Sequence, residues 1–274
     1  RLAGISADLF IESQANAISI DVELPAELRR AVRLVDLQVH ASTGRRAVPV
    51  FPLGQDVSGR NHWGDFSSSS SSHFLVAGIA GSGRSEYLRA MVAGLARCLP
   101  PERLQCVLID PNRLTFSFQG ASPYFREPIA HGAKEAFSRL QDCFAEVERR
   151  YEELSRLRYK NLAELEENEA RGPPRIVVIC DGFPDLMAGR DVKQELENPL
   201  KRLSAKARAA GVHFVLAAER LDARLVTPQL RSSLPGRICL QVGSASESKI
   251  VLDRPDAANL LGNGDLLWQR HAGV

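Results

Sequence analysis

Gly78-Ile79-Ala80-Gly81-Ser82-Gly83-Arg84-Ser85 begins within an apolar run, HFLVAGIA, and leads into a stretch from Ser85 to Leu99 with helical patterning. Its spacing is that of a phosphate-binding turn, G-x-x-x-x-G-K-[ST], with Arg84 in the place of the lysine. Glycines at those positions let the backbone wrap around an anion and aim its N–H groups inward. The start of the following helix adds partial positive charge. Ser85 offers a hydroxyl to a magnesium ion. Arg84 keeps the charge of lysine but is planar and bulkier, so it cannot act as the compact point charge that contacts terminal phosphates.

Outward from this turn the chain alternates strands and helices. LQCVLID, RIVVIC, HFVLAAE and RICLQV are short apolar strands. Apolar residues at Phe137, Leu140, Phe144, Val147, Tyr151 and Leu154 recur at helical spacing between about 133 and 170, predicting a long amphipathic helix broken near Tyr159. Such alternation predicts an α/β fold, a mostly parallel sheet flanked by helices. Residues 1–50 read as a partial β-rich segment, with strands over AISIDVEL and AVRLVDLQVH, and residues 51–274 as one nucleotide-binding domain. FPLGQDVSGR reads as a connector or short hairpin. The run Ser67 to Ser72 reads as a solvated loop.

RIVVICD ends in Asp181, a carboxylate at the tip of an apolar strand. Beside a phosphate turn that is the place of the metal-orienting aspartate, though a strand-end turn carboxylate would look the same in sequence. The next residue, where a catalytic base is needed to activate water, is Gly182.

Composition narrows the class. Hydrophobic residues make up 44% and charged residues 25% of 274, ordinary for a globular protein. No apolar run is long enough to span a membrane, and the start RLAGISADLF has no basic-then-apolar leader pattern. Cys98, Cys106, Cys143, Cys180 and Cys239 stand singly among apolar neighbours, which predicts buried thiols in a reducing, cytoplasmic compartment and no zinc site. Only six of the 35 basic residues are lysine, and the arginines form no run, so composition gives no nucleic-acid signature.

Several segments, in order, resemble the FtsK/SpoIIIE family of DNA translocases. They are FPLGQDVSG with HFLVAGIAGSGRSEYL, VLIDPNRLTFSFQG, EVERRYEELSRLRYKNLAELEE, VVICDGFPDLM, LSAKARAAGVHFVLAAER, LPGRICLQVGSASESKIVLD and LLGNGDLLW. The resemblance implies a RecA-like P-loop NTPase that binds ATP and Mg2+. Gly78, Ile79, Ala80, Gly81, Ser82, Gly83, Arg84 and Ser85 would cradle the phosphates, and Ser85 and Asp181 would serve the metal. It places the family's sensor glutamine on Glu219 and its trans-acting arginine finger on Arg237. Without the resemblance, Arg237 reads as a surface arginine before a strand. Asn112 takes the place of the lysine in an Asp-Pro-Lys turn.

Arg84, Gly182 and Glu219 depart from the family pattern at positions that serve hydrolysis or its sensing. Two readings follow. One is an active translocase on double-stranded DNA. The other is an ATP-binding module with weak or lost hydrolysis, in a hexameric ring of like chains or assembled with active homologous subunits. Degenerate ATPase modules of type VII-like secretion motors, with a secreted protein as substrate, are a further alternative. Arg156, Arg158 and Lys160 make a small basic cluster that reads as a solvated helix end or, alternatively, as a face toward DNA. Any membrane tether would lie outside these residues.

Overall fold

The computed structural model describes residues 9–14, 17–22, 31–37, 48–116, 122–169, 172–187, 190–219 and 221–269. The chain divides into two units, Arg1–Leu37 and Gln38–Val274.

In the first unit, β1 (Leu9–Gln14) and β2 (Ala17–Val22) form an antiparallel hairpin with Ile11 opposite Ile20. The strand expected over AVRLVDLQVH is absent from its described part. Leu34–Asp36 instead forms one 3-10 turn, and Asp36 accepts the Arg33 backbone N–H at 3.2 Å. Val32 and Val35 are exposed while Leu37 is buried, so the apolar residues do not share one face at a period of two. The end of that stretch lies outside the described residues.

The second unit is a six-stranded sheet in the order β10-β9-β5-β8-β7-β6. Its strands are β5 (Phe74–Ala77), β6 (Leu104–Ile109), β7 (Arg175–Asp181), β8 (Val212–Ala218), β9 (Gly236–Leu240) and β10 (Leu266–Gln269). The first five are parallel and coincide with the five apolar runs. β10 is an antiparallel edge strand beside β9 that apolar patterning did not reveal. Every residue of β7 and β8 is buried, as a central parallel strand covered on both faces requires.

One face carries α1 (Arg84–Cys98) and a hairpin of β3 (Val50–Gln55) and β4 (Asn61–Asp65), so FPLGQDVSGR is a hairpin. Phe51, Phe66 and Phe74 meet there with ring centroids 5.1–5.4 Å apart. Gly94 lets α1 approach the hairpin, since a Cβ there would lie 2.3 Å from Pro52 Cδ. The other face is packed by α2 (Ala133–Arg156) and α5 (Arg190–Ala209), with α4 (Phe183–Leu186), α6 (Pro228–Ser233) and α7 (Ala245–Leu252) near the strand ends. The predicted break in the long helix falls between α2 and α3 (Leu162–Glu169). Arg156, Arg158 and Lys160 are exposed around it.

The serine run is not a solvated loop throughout. Ser69–Ser71 makes a 3-10 turn, Ser71 and Ser72 are buried, and the Ser72 carbonyl accepts a hydrogen bond from His213 Nδ1 at 3.1 Å. The run ends as a buried lead-in to β5. All five cysteines are buried thiols outside any disulfide, and burial raises the thiols of Cys106, Cys143 and Cys239 to about 12. Among the described residues, no helix is long and apolar enough to cross a membrane.

Candidate nucleotide site

The parallel strands bring their C-terminal ends to one edge of the sheet, where functional loops of open α/β folds collect. Four loops meet there. Gly78 follows β5, Asp110 follows β6, Asp181 ends β7 and Glu219 follows β8. Because β8 lies between β5 and β7, the turn after β5 has Glu219 one strand away and Asp181 two.

The turn is shaped by its glycines. Gly81 and Gly83 have φ of 80° and 93°, a region other residues rarely adopt. A Cβ on Gly83 would lie 2.5 Å from the Gly264 nitrogen, so a loop from the far end of the chain closes against the turn. Gly264 N–H donates to Ser82 O at 2.8 Å, and Ile79 N–H donates to Gln241 O at 3.0 Å. Thus the turn is anchored on both sides, while the N–H groups opening α1 belong to the helix's unpaired first turn. The Ser82 hydroxyl is fully buried without a hydrogen-bond partner.

Arg84 does not point into open solvent. Its side chain is about 10% exposed and ties three elements together. Nε donates to Asp181 Oδ1 at 3.2 Å, Nη2 to Glu219 Oε2 at 3.1 Å, and Nη1 to the Gly78 carbonyl. Arg84 and Glu219, which the resemblance marks as departures, are therefore one ion pair. Planar guanidinium geometry allows this three-way tie, which an ammonium could not make with the same directionality. Glu219 therefore faces a cation here and is not a bare carboxylate.

Ser85 and Asp181 come together through a residue that sequence reading missed. Thr115 Oγ1 lies 2.9 Å from Ser85 Oγ and donates to Asp181 Oδ2. Asp110 holds it there, accepting the N–H groups of Leu114, Thr115 and Phe116 at 3.2, 2.8 and 2.9 Å. No spacing rule links Thr115 to either partner. The only available signal was Asp110 itself, a second carboxylate at the tip of an apolar strand.

Gly182 has φ of 86° and caps α4. The position lacks a carboxylate and its backbone also suits glycine. A Cβ there would stand 3.3 Å from Asn112 Nδ2 and 3.5 Å from Asp185 Oδ2. Asn112 and Asp185 are joined at 3.2 Å across the cleft.

Arg237 lies at the opposite, N-terminal end of β9, away from the turn. It is 7% exposed, and Nη2 donates to Arg231 O at 2.6 Å. Burial lowers its pKa to about 10.

These loops enclose a cleft of about 540 Å³ lined by Ile79 to Gly81, Arg84, Ser85, Asp181 and Glu219 among others, within the size range of small-molecule sites. An anchored glycine turn at a helix start, beside a hydroxyl and a strand-end carboxylate, defines a P-loop nucleotide-binding domain. The model of the FtsK/SpoIIIE family matches residues 33–223, and the chain belongs to that family. It is 32% identical to DNA translocase FtsK 2 of Neisseria meningitidis serogroup A over 98% of this chain and 28% of that protein. It is 33% identical to DNA translocase FtsK of Lactiplantibacillus plantarum over 98% of this chain and 35% of that one. The chain thus spans about a third of the length of these curated relatives. Among solved structures, the cytoplasmic domain of the Thermomonospora curvata type VII secretion ATPase EccC is 25% identical, with a TM-score of 0.67 over 88% of this chain and 30% of that one. The pCW3 conjugation coupling protein TcpA, solved with ATPγS, has the same fold at 23% identity, with a TM-score of 0.72 over 97% of this chain and 75% of that one.

Proposed function

We propose that this domain binds ATP with Mg2+ and hydrolyses it slowly or not at all, serving as a nucleotide-held module in an FtsK-like ring on double-stranded DNA. The observation that carries this reading is the Arg84 tie to Asp181 and Glu219, set beside a glycine at position 182. The turn from Gly78 to Ser85 would hold phosphates by backbone N–H groups, which side-chain changes leave intact. Ser85 and Asp181, with Thr115 between them, suit a Mg2+ site that uses one carboxylate, one hydroxyl and water. When bound, Mg2+ would neutralise phosphate charge. Hydrolysis also needs a base to orient water, and Gly182 supplies none. Without that contact and without a free cation at position 84, turnover falls by orders of magnitude.

Arg237 is the candidate for a finger reaching a neighbouring subunit's nucleotide, and would have to exchange the Arg231 carbonyl for that phosphate. The likeness to EccC supports a second reading, in which the module serves a type VII-like secretion motor acting on a protein.

Nucleotide binding and ATP turnover of the unmodified chain, with and without duplex DNA, test the proposal. The expected result is saturable binding with turnover below about 0.1 per second in both conditions. Turnover of tens per second stimulated by DNA would sink it.

A further inference from the structure

We propose that the cleft prefers a nucleoside diphosphate to the corresponding triphosphate, because the Arg84–Glu219 pair sets a carboxylate where a third phosphate needs a cation. This rests on the nucleotide-binding reading above and concerns how that site discriminates.

The charges lining the cleft are already committed. Arg89 donates to the Thr115 carbonyl at 2.6 Å and pairs with Glu86. Asp110 is occupied by three backbone N–H groups. Arg84 is shared among Asp181, Glu219 and the Gly78 carbonyl. Beyond the turn, Asp181 and Glu219 share the Arg84 guanidinium, and Asp185, which also lines the cleft, accepts from the neutral Asn112 at 3.2 Å.

The first two phosphates of a nucleotide are served by backbone N–H groups and the helix start, neither of which depends on Arg84. The residue at position 84 serves the outer phosphates. A third phosphate therefore has two options here. It can break the 3.1 Å contact between Arg84 and Glu219, or it can sit beside the Glu219 carboxylate. Either weakens the triphosphate relative to the diphosphate. Glu219 is 47% exposed, so solvent screens the penalty to about tenfold in affinity.

Calorimetric titration of the unmodified chain with ADP and with ATPγS, both in Mg2+, tests the inference. ADP is expected to bind about tenfold more tightly, and Glu219→Gln to shift the ratio of the two affinities about tenfold toward ATPγS. Equal or tighter ATPγS binding by the unmodified chain overturns the preference. An unchanged ratio in Glu219→Gln overturns its assignment to Glu219. If neither nucleotide binds, the nucleotide-binding reading fails and takes this inference with it.

Discussion

The two ends of the central sheet both bury charged and polar side chains, and they use them in opposite ways. At the C-terminal end, Arg84, Ser85, Asp181 and Glu219 line a cleft and are linked through side chains, with Thr115 buried between Ser85 and Asp181. At the N-terminal end the polar groups are spent on backbone carbonyls. His73 Nε2 donates to Ser204 O at 2.9 Å, Arg150 Nη1 to Pro174 O at 2.8 Å, and Arg237 to Arg231 O. Arg175, which opens β7, pairs with Glu166 at 2.7 Å. The difference separates scaffold from site. Strand and helix ends leave carbonyls that need donors, and one end of the sheet has been closed with them. The other end keeps its charges available to exchange partners.

That contrast breaks if a change at the closed end leaves stability intact. Arg150 is 3% exposed and serves Glu146, Pro174 and Ala210. Arg150→Ala strands two carbonyls and takes one of three arginine partners from Glu146, which keeps Arg149 and Arg126, and is expected to lower unfolding free energy by about 4 kcal/mol in denaturant titrations. Nucleotide affinity should hold.

Acid is the next lever on the same end. Burial lowers the pKa of His73 to about 4, outweighing the Ser204 carbonyl, which accepts from Nε2 and favours the proton, while Nδ1 accepts the Phe214 N–H. His213 is lowered too, again chiefly by burial. Below an unfolded value of 6.5 the unfolded chain binds protons that the folded chain refuses, so stability falls as pH drops from about 6.5 toward 4. His73 alone accounts for about 3 kcal/mol across that window. Equilibrium unfolding at pH 7 and pH 4.5 checks the sign. Constant stability would show that the closed end tolerates charge.

The smallest expected effect on the fold, and the sharpest on the ligand, comes from the open end. Gly83→Ala drives a Cβ toward the Gly264 backbone at positive φ. Nucleotide affinity should fall about a hundredfold, equivalent to about 2.7 kcal/mol, with only about 1 kcal/mol lost from unfolding free energy. Equal losses in both would erase the distinction between the ends.

Much of the parallel sheet and of the phosphate turn is legible in the sequence. HFLVAGIA, RIVVICD and HFVLAAE are apolar without interruption because both faces of their strands are covered, and the glycine spacing after Ala77 marks a turn whose backbone chemistry is local. The short edge strand β10 is apolar but only four residues long, too short a run for patterning to separate a strand from a loop. The alternation in AVRLVDLQVH misled, because a period of two has meaning only where a neighbouring layer buries one face.

By itself, then, the sequence determined the phosphate turn at Gly78 to Ser85, the order of the parallel strands' apolar runs, and the carboxylate at Asp181. Each depends on residues adjacent along the chain. Only the tertiary structure decided that Arg84 and Glu219, 135 positions apart, are partners, that Thr115 joins Ser85 to Asp181, and that Arg237 is bonded within its own chain. Side-chain pairs of that kind have no period and no spacing. They exist because a parallel sheet gathers the ends of distant strands along one edge, where their charges must settle with one another.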